Sequence, residues 1–101
     1  MEINIAELKV IHNEAEKRFE IWIDGYLSRL DYRLEGNTII FYYTGVPTAL
    51  EGQGIAGRLT HAALDYADAK SLNVVPLCSY VAAYIRRHPR YNKSIKQSSF
   101  E

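Results

Sequence analysis

Hydrophobic and polar residues alternate along the first half of the chain and recur at helical spacing in the second. Lys9-Val10-Ile11-His12 is a short extended candidate that breaks at the polar stretch Asn13 to Lys17. Phe19, Ile21 and Ile23 then alternate with Glu20 and Trp22, the period of a half-buried strand, and Asp24-Gly25 supplies residues that tolerate the positive φ of a tight hairpin. On the return strand Tyr26, Ser28, Leu30, Tyr32 and Leu34 share one face and Arg29, Asp31 and Arg33 the other, until Glu35-Gly36-Asn37 makes a second turn. Thr38 to Thr44 is the third clear strand. It places Ile39, Phe41 and Tyr43 on one face and Ile40 and Tyr42 on the other, and a strand apolar on both sides belongs inside a sheet. These strands predict an antiparallel meander.

From Gln53 to Lys70 the period changes. Ile55, Leu59, Ala62, Ala63, Tyr66 and Ala67 recur at helical spacing beside a polar stripe of Arg58, His61, Asp65 and Asp68, which predicts one amphipathic helix with His61 and Asp65 paired across a turn. Asn73 to Cys78 is a short apolar strand in which Pro76 marks a bulge or an unpaired edge. A helix between two strands implies a parallel crossover. Val81 to Arg87 forms a second, shorter helix that stops at His88-Pro89, since a residue before proline is pushed out of helical geometry. The remaining chain, Arg90 to Glu101, is polar and reads as a tail that frays from about residue 92. The expected fold class is α/β (α+β), a mixed and mostly antiparallel sheet with a long helix after the central strand and a short C-terminal helix.

A length of 101 residues, with 48% hydrophobic and 24% charged residues, fits one globular domain spanning 1–101 and excludes a disordered or low-complexity chain. Twelve Lys and Arg balance twelve Asp and Glu, so no bulk charge attracts nucleic acid or an anionic membrane. The balance is uneven along the chain. Residues 1–78 hold seven Lys and Arg against eleven Asp and Glu, a net of minus four; residues 79–101 hold five against one, a net of plus four. The late cluster Arg86, Arg87, His88, Arg90, Lys93 and Lys96 suits a solvated tail, a contact with the acidic body, or an anionic partner such as RNA. The longest apolar run, Ile39 to Tyr43, is far short of the roughly 20 residues of a membrane span. The start, Met1-Glu2-Ile3-Asn4, lacks the basic and apolar regions of a secretory signal, which leads us to expect a cytoplasmic protein. One cysteine, Cys78, and three scattered histidines give no metal-ligand spacing, so no metal is expected.

Candidate chemistry concentrates where the central strand meets the long helix, in Gly45-Val46-Pro47-Thr48-Ala49-Leu50-Glu51-Gly52-Gln53-Gly54-Ile55-Ala56-Gly57. Small residues here remove the side-chain bulk that would hold a ligand off the backbone, at a helix end whose free N–H groups carry partial positive charge. This is the composition of an anion cradle, although it also suits a turn that merely packs helix close to sheet. Neither G-x-x-x-x-G-K-[ST] nor G-x-G-x-x-G is present, which sets aside the common nucleotide loops.

Glu51 to Leu59, E-G-Q-G-I-A-G-R-L, resembles the [QR]-x-x-G-x-[GA] motif of the GNAT superfamily of acetyl-coenzyme A-dependent acyltransferases, and the order of elements is similar over most of the chain. Pro76-Leu77-Cys78-Ser79-Tyr80 with Tyr84-Ile85-Arg86-Arg87-His88-Pro89 is similar to its minimal YjdJ-type group. The departure is Glu51, where the motif has Gln or Arg. The resemblance implies a GNAT-like fold whose central strand parts from its neighbour near Gly45-Val46, with acetyl-coenzyme A as cofactor. Its pyrophosphate would lie over Gln53, Gly54, Ile55, Ala56 and Gly57, flanked by Gly52 and Arg58; Thr44, Gly45 and Val46 would bound the thioester, and Arg86 and Arg87 would meet the 3′-phosphate. Cys78 is an acyl-accepting nucleophile, a lining of the slot, or a small buried hydrophobe. In such enzymes a tyrosine near here often protonates the departing thiolate, a role open to Tyr80 or Tyr84, with Tyr84 taken as the catalytic candidate. The implied activity is acetyl transfer to an unidentified amine by direct attack, and a chain with so few loops favours an exposed or macromolecular acceptor. A non-catalytic coenzyme A sensor and a small RNA-binding domain are the alternatives.

Overall fold

A computed structural model describes residue 4 and residues 7–95. Strands β1 (Ile11–Asn13), β2 (Arg18–Ile23), β3 (Tyr26–Glu35) and β4 (Thr38–Gly45) form the meander; a 3-10 turn (Thr48–Leu50) leads to helix α1 (Ile55–Ala69), then β5 (Asn73–Pro76), helix α2 (Ser79–Arg87) and a second 3-10 stretch (Pro89–Ser94). The sheet runs in the order β1-β2-β3-β4-β5, antiparallel except for the β4–β5 pair, which is parallel as the helical crossover requires. At the first hairpin Ile23 pairs with Tyr26, and Asp24 and Gly25 take φ of 49° and 81°. Both central residues are therefore left-handed, the backbone that matches strand twist in a two-residue turn.

Phe19, Ile21, Leu30, Tyr32, Ile39, Phe41 and Val74 project from one sheet face into a single cluster with Leu59, Ala63, Leu64 and Ala67 of α1 and Val81, Tyr84 and Ile85 of α2. Leu59 is fully buried there, and truncation to Ala would cost about 2–5 kcal/mol. β4 is an interior strand, as its two-sided apolar pattern predicts. Its alternation breaks partway. Asp31 pairs with Tyr43 but the next residue, Tyr32, pairs with Phe41, so Tyr42 is an extra residue in β4. The bulge turns Tyr43, expected on the Phe41 face, outward beside Tyr42.

The opposite sheet face exposes Trp22, Tyr42 and Tyr43, yet Glu20 in that row is only 4% exposed. Its carboxylate accepts hydrogen bonds from Arg18 Nε (2.5 Å), Trp22 Nε1 (3.0 Å) and Asn13 Nδ2 (3.0 Å). Burial alone would raise its pKa, but these three donors outweigh it and hold the carboxyl below its ordinary value. Arg29 lies over the Tyr43 ring and beside Asp31 (3.4 Å), and Arg33 lies over Tyr42 and beside Glu35 (3.7 Å).

Helix α2 begins two residues earlier than expected and ends at His88, where Pro89 prevents continuation. The expectation of a frayed tail is corrected as far as Ile95. Tyr91 is buried, its hydroxyl donating to Asp65 Oδ1 (2.7 Å) and lying 3.2 Å from His61 Nδ1, and Ile95 bridges to Val74. One aromatic anchor and one aliphatic residue hold a segment whose composition is otherwise polar. His61 is paired with Asp65 (3.1 Å), as the helical spacing predicts. Lys96 and the rest of 96–101 lie outside the described residues.

Candidate functional site

The parallel ladder ends at Phe41 and Pro76. Pro76 has no N–H to give, Leu77 N turns back to Val75 O (3.2 Å), and Cys78 N makes the last bond across, to Phe41 O (2.9 Å). β4 continues to Gly45 paired only with β3. The two strands therefore part at Phe41 and Pro76, four residues before the expected point at Gly45-Val46, because the β4 bulge and the proline both interrupt the ladder there. Across the gap Thr44 Oγ1 and Cys78 Sγ share a hydrogen bond of 3.2 Å.

After β4 the chain is anchored by Leu50, which is fully buried, and then passes Glu51, Gly52, Gln53 and Gly54 into α1. Gly52 and Gly54 take φ of 81° and 84°, so the path needs left-handed backbone twice in three residues. Gly54 is the helix cap and no side chain caps the first turn; its carbonyl accepts from Arg58 N (3.0 Å). The start of α1 thus presents N–H groups without the side-chain acceptor that helices commonly carry. The helix begins at Ile55 rather than at the expected Gln53, since the two left-handed glycines delay it.

Two cavities flank this turn. One of about 490 Å³ is lined by Leu27, Arg29, Tyr43, Thr44, Gly45, Val46, Pro47 and Glu51. The other, about 250 Å³, is lined by Val46, Leu50, Glu51, Gly52, Gly54, Ile55, Ala56 and Tyr80. Val46 and Glu51 belong to both and separate them. Among the residues singled out in the sequence, Thr44, Gly45 and Val46 line the larger cavity and Gly52, Gly54, Ile55 and Ala56 the smaller. Gln53 sits between the two left-handed glycines, and Gly57 and Arg58 follow in the first turn of α1. A Cβ on Gly57 would lie 3.4 Å from the Tyr80 hydroxyl and 3.9 Å from Tyr84 Cε2, so α2 packs directly over the start of α1.

Cys78 and Tyr84 line neither cavity. Cys78 is half-buried ahead of α2; Tyr84 is buried and stacked on His88 (4.0 Å between ring centroids), and burial pushes its hydroxyl pKa up. Tyr80, four residues earlier on the same helix, reaches the smaller cavity. Leu27, Arg29 and Tyr43 were not singled out in the sequence, and for Tyr43 the reason is that the bulge turning it outward leaves no trace in the alternation. Arg58, Arg86 and Arg87 carry no ion pair among the described residues, whereas Arg18, Arg29, Arg33 and Arg90 each face a carboxylate. Arg86 and Arg87 are exposed in the last turn of α2, where positive charge also suits the helix dipole. No helix of the described residues is long and apolar enough to cross a membrane, and among them no three His, Cys, Asp or Glu side chains gather as for a metal ion.

A family model described as GCN5-related N-acetyl-transferase matches residues 18–95. Protein NATD1 of Homo sapiens is 32% identical over 85 residues, covering 81% of this chain and 75% of the human protein. Protein NATD1 of Xenopus tropicalis is 30% identical over 87 residues, 83% of this chain and 80% of its own length. Among solved structures, a GCN5-like protein from Staphylococcus aureus, described as a candidate N-acetyltransferase and determined by NMR, superposes with a TM-score of 0.71 at 25% identity over 93% of each chain. The mixed five-stranded sheet with two helices is shared with that structure.

Proposed function

Because this chain belongs to the GCN5-related N-acetyltransferase family, we propose that it binds acetyl-coenzyme A at the β4–α1 junction and transfers the acetyl group to an amine. One observation carries this reading: α1 starts uncapped, behind two left-handed glycines, at the side of β4 that β5 has left. Backbone donors at that place suit a pyrophosphate, and a strand edge without a ladder partner suits an extended amide-bearing arm. When bound, the cofactor supplies an acetyl group activated as a thioester. Gly52 to Arg58 would hold the phosphates, with the Arg58 guanidinium free to add charge. Arg86 and Arg87, also free of ion pairs, would answer the 3′-phosphate. A backbone N–H of Thr44 to Val46 that does not face β3 would donate to oxygen as negative charge develops there. Tyr80 reaches the same junction and can give a proton from its hydroxyl, which makes it the nearer of the two tyrosine candidates. Cys78, held to Thr44, would wall the gap. A single free cysteine supports a reducing, cytoplasmic setting.

Thermal unfolding with and without acetyl-coenzyme A tests the reading. A ligand that binds only the native state adds about 2.7 kcal/mol at 100 times its Kd. Gly54→Val should remove the ligand-induced shift, since a branched residue is strained at φ 84° and fills the approach to the backbone. Absence of any shift in the natural protein would refute cofactor binding; binding without acetyl transfer to any amine would leave a coenzyme A sensor. The RNA reading finds exposed aromatics on the helix-free face, but Arg29 and Arg33 there already pair with Asp31 and Glu35, which leaves phosphates little unpaired charge.

A further inference from the structure

Helix α2 and the 3-10 stretch that follows it rest on one ridge of α1. Gly57, His61 and Asp65 succeed one another at four-residue spacing, so they line up along the helix surface. At the first of them, the Tyr80 hydroxyl and Tyr84 Cε2 lie 3.4 and 3.9 Å from where a Gly57 Cβ would stand. At the other two, the buried Tyr91 donates its hydroxyl to Asp65 Oδ1 (2.7 Å) and lies 3.2 Å from His61 Nδ1, while His61 Nε2 meets Asp65 Oδ2 (3.1 Å). The Tyr91 hydroxyl accepts in turn from Arg90 Nη2 (2.5 Å), whose guanidinium lies over the ring. Burial, reinforced by the bond to Asp65, pushes the Tyr91 pKa up to about 12, so the hydroxyl stays a donor at neutral pH.

A short helix held at one point can pivot about it; held at two, it cannot. The two points here are joined through rings: Tyr84, which reaches Gly57, has its centroid 6.3 Å from that of Tyr91 and 4.0 Å from that of His88, whose Nδ1 is 2.8 Å from the Tyr84 carbonyl oxygen. Past α2, Arg90 and Lys93 face Asp65 and Asp68 of α1 (3.6 Å each), whereas Arg86 and Arg87 face no carboxylate. The late basic cluster therefore divides into residues that anchor the segment and residues that the anchored segment presents. We propose that Tyr91 is a positioning residue for the cofactor junction: through its bond to Asp65 it fixes the angle at which α2 crosses α1, and so sets Tyr80 at the smaller cavity. Tyr91 itself lines neither cavity. The step from α2 to the cofactor rests on the acetyltransferase reading above; the seating of α2 does not. Coupling between sites is reciprocal, so a cofactor that binds this arrangement also holds the Tyr91 clasp shut.

Three variants of the full chain test this. Tyr91→Phe removes the hydroxyl and keeps the ring, and Asp65, half exposed and still beside His61 and Arg90, is not left as a buried unpaired charge. Asp65→Ala removes the acceptor from the other side, and Asp65→Asn is the conservative variant, which keeps an oxygen for the Tyr91 hydroxyl. Nuclear Overhauser contacts from Gly57 Hα to the Tyr80 and Tyr84 rings report the seat of α2 without ligand, and calorimetric titration reports affinity for coenzyme A. Tyr91→Phe and Asp65→Ala should weaken the Gly57 contacts and lower coenzyme A affinity about fivefold, the worth of one net hydrogen bond, while Asp65→Asn should retain both. In the natural protein, saturating coenzyme A should slow hydrogen exchange at the Tyr91 amide. A purely structural Tyr91 would lower Tm in Tyr91→Phe and leave the Gly57 contacts and the coenzyme A Kd in place, and that result overturns the proposal. Equal loss in Asp65→Asn, which would assign the effect to charge, overturns it as well. Failure of the natural protein to bind coenzyme A would instead remove the cofactor reading, and the Gly57 contacts alone would then decide whether Tyr91 seats α2.

Discussion

Glycine-to-alanine substitutions three residues apart should move stability in opposite directions. At Gly54, φ is 84°, a backbone that an L residue with a Cβ adopts only at a cost of about 1–2 kcal/mol. Gly57 is instead the third residue of α1, in ordinary helical geometry, and an added Cβ would meet only the Tyr80 hydroxyl at 3.4 Å and Tyr84 Cε2 at 3.9 Å. Those are van der Waals contacts, with a flexible hydroxyl end as the nearer neighbour. Alanine is better than glycine by about 0.8–1.0 kcal/mol in a helix interior, and we take about half of that in a first turn, roughly 0.5 kcal/mol. For a domain of this size about 1 kcal/mol moves Tm by about 4–8 °C, so Gly57→Ala should rise by about 2–4 °C and Gly54→Ala should fall by about 4–16 °C. Differential scanning calorimetry of the ligand-free proteins measures both. The same Gly57→Ala protein should bind coenzyme A more weakly, since a methyl group enters the phosphate approach. A fall in Tm for Gly57→Ala would show that α2 leaves no room over α1. A rise in Tm with unchanged coenzyme A affinity would remove Gly57 from the cradle.

His12, stacked on Phe19 (4.2 Å) and hydrogen-bonded to the Tyr32 hydroxyl, has its pKa lowered chiefly by burial, so the unfolded chain takes up a proton before the folded one does. Stability from this group is therefore complete above its ordinary pKa of 6.5 and is lost as pH falls below it; His12→Phe, which keeps the stacked ring, should flatten that part of a Tm-against-pH curve, and an unchanged slope would refute the assignment. Tyr80→Phe should slow turnover more than Tyr84→Phe, measured as kcat at saturating acetyl-coenzyme A, because only Tyr80 reaches a cavity; the reverse order would return the proton donor to Tyr84. Cys78→Ala should retain turnover, since direct attack by an amine needs no acyl-enzyme, and an acetylated Cys78 discharged by amine at the turnover rate, seen by intact mass, would contradict this. Replacing Arg86 and Arg87 by Glu should weaken coenzyme A more than dephospho-coenzyme A in calorimetric titration, and equal loss for both would sink the 3′-phosphate assignment.

Period-two and helical patterns are carried by local sequence, and on them the meander, the parallel crossover and both helices were legible. Asp24-Gly25 marked its hairpin because two left-handed residues are chemically rare. The β4 bulge was not legible. Ile39 to Tyr43 is apolar on both faces, so inserting an extra residue breaks no visible alternation, and only pairing with β3 reveals that Tyr42 and Tyr43 both turn outward. Burial of Glu20 was equally hidden, since it depends on donors from Asn13, Arg18 and Trp22 brought together by two strands. For the candidate site, the glycine-rich cradle was readable from composition, whereas the larger cavity was not. It joins β3, the end of β4 and the loop through Glu51, residues 27 to 51, and no short motif spans them.

Backbone amide NMR during titration with acetyl-coenzyme A is the sharpest test of cofactor binding at the β4–α1 junction, because it reports both whether the cofactor binds and where. Saturable shifts should concentrate in two stretches, Thr44 to Val46 and Gly52 to Arg58, with smaller ones at Tyr80. Saturable shifts confined to the helix-free face around Trp22 and Tyr42, or none anywhere, would contradict it.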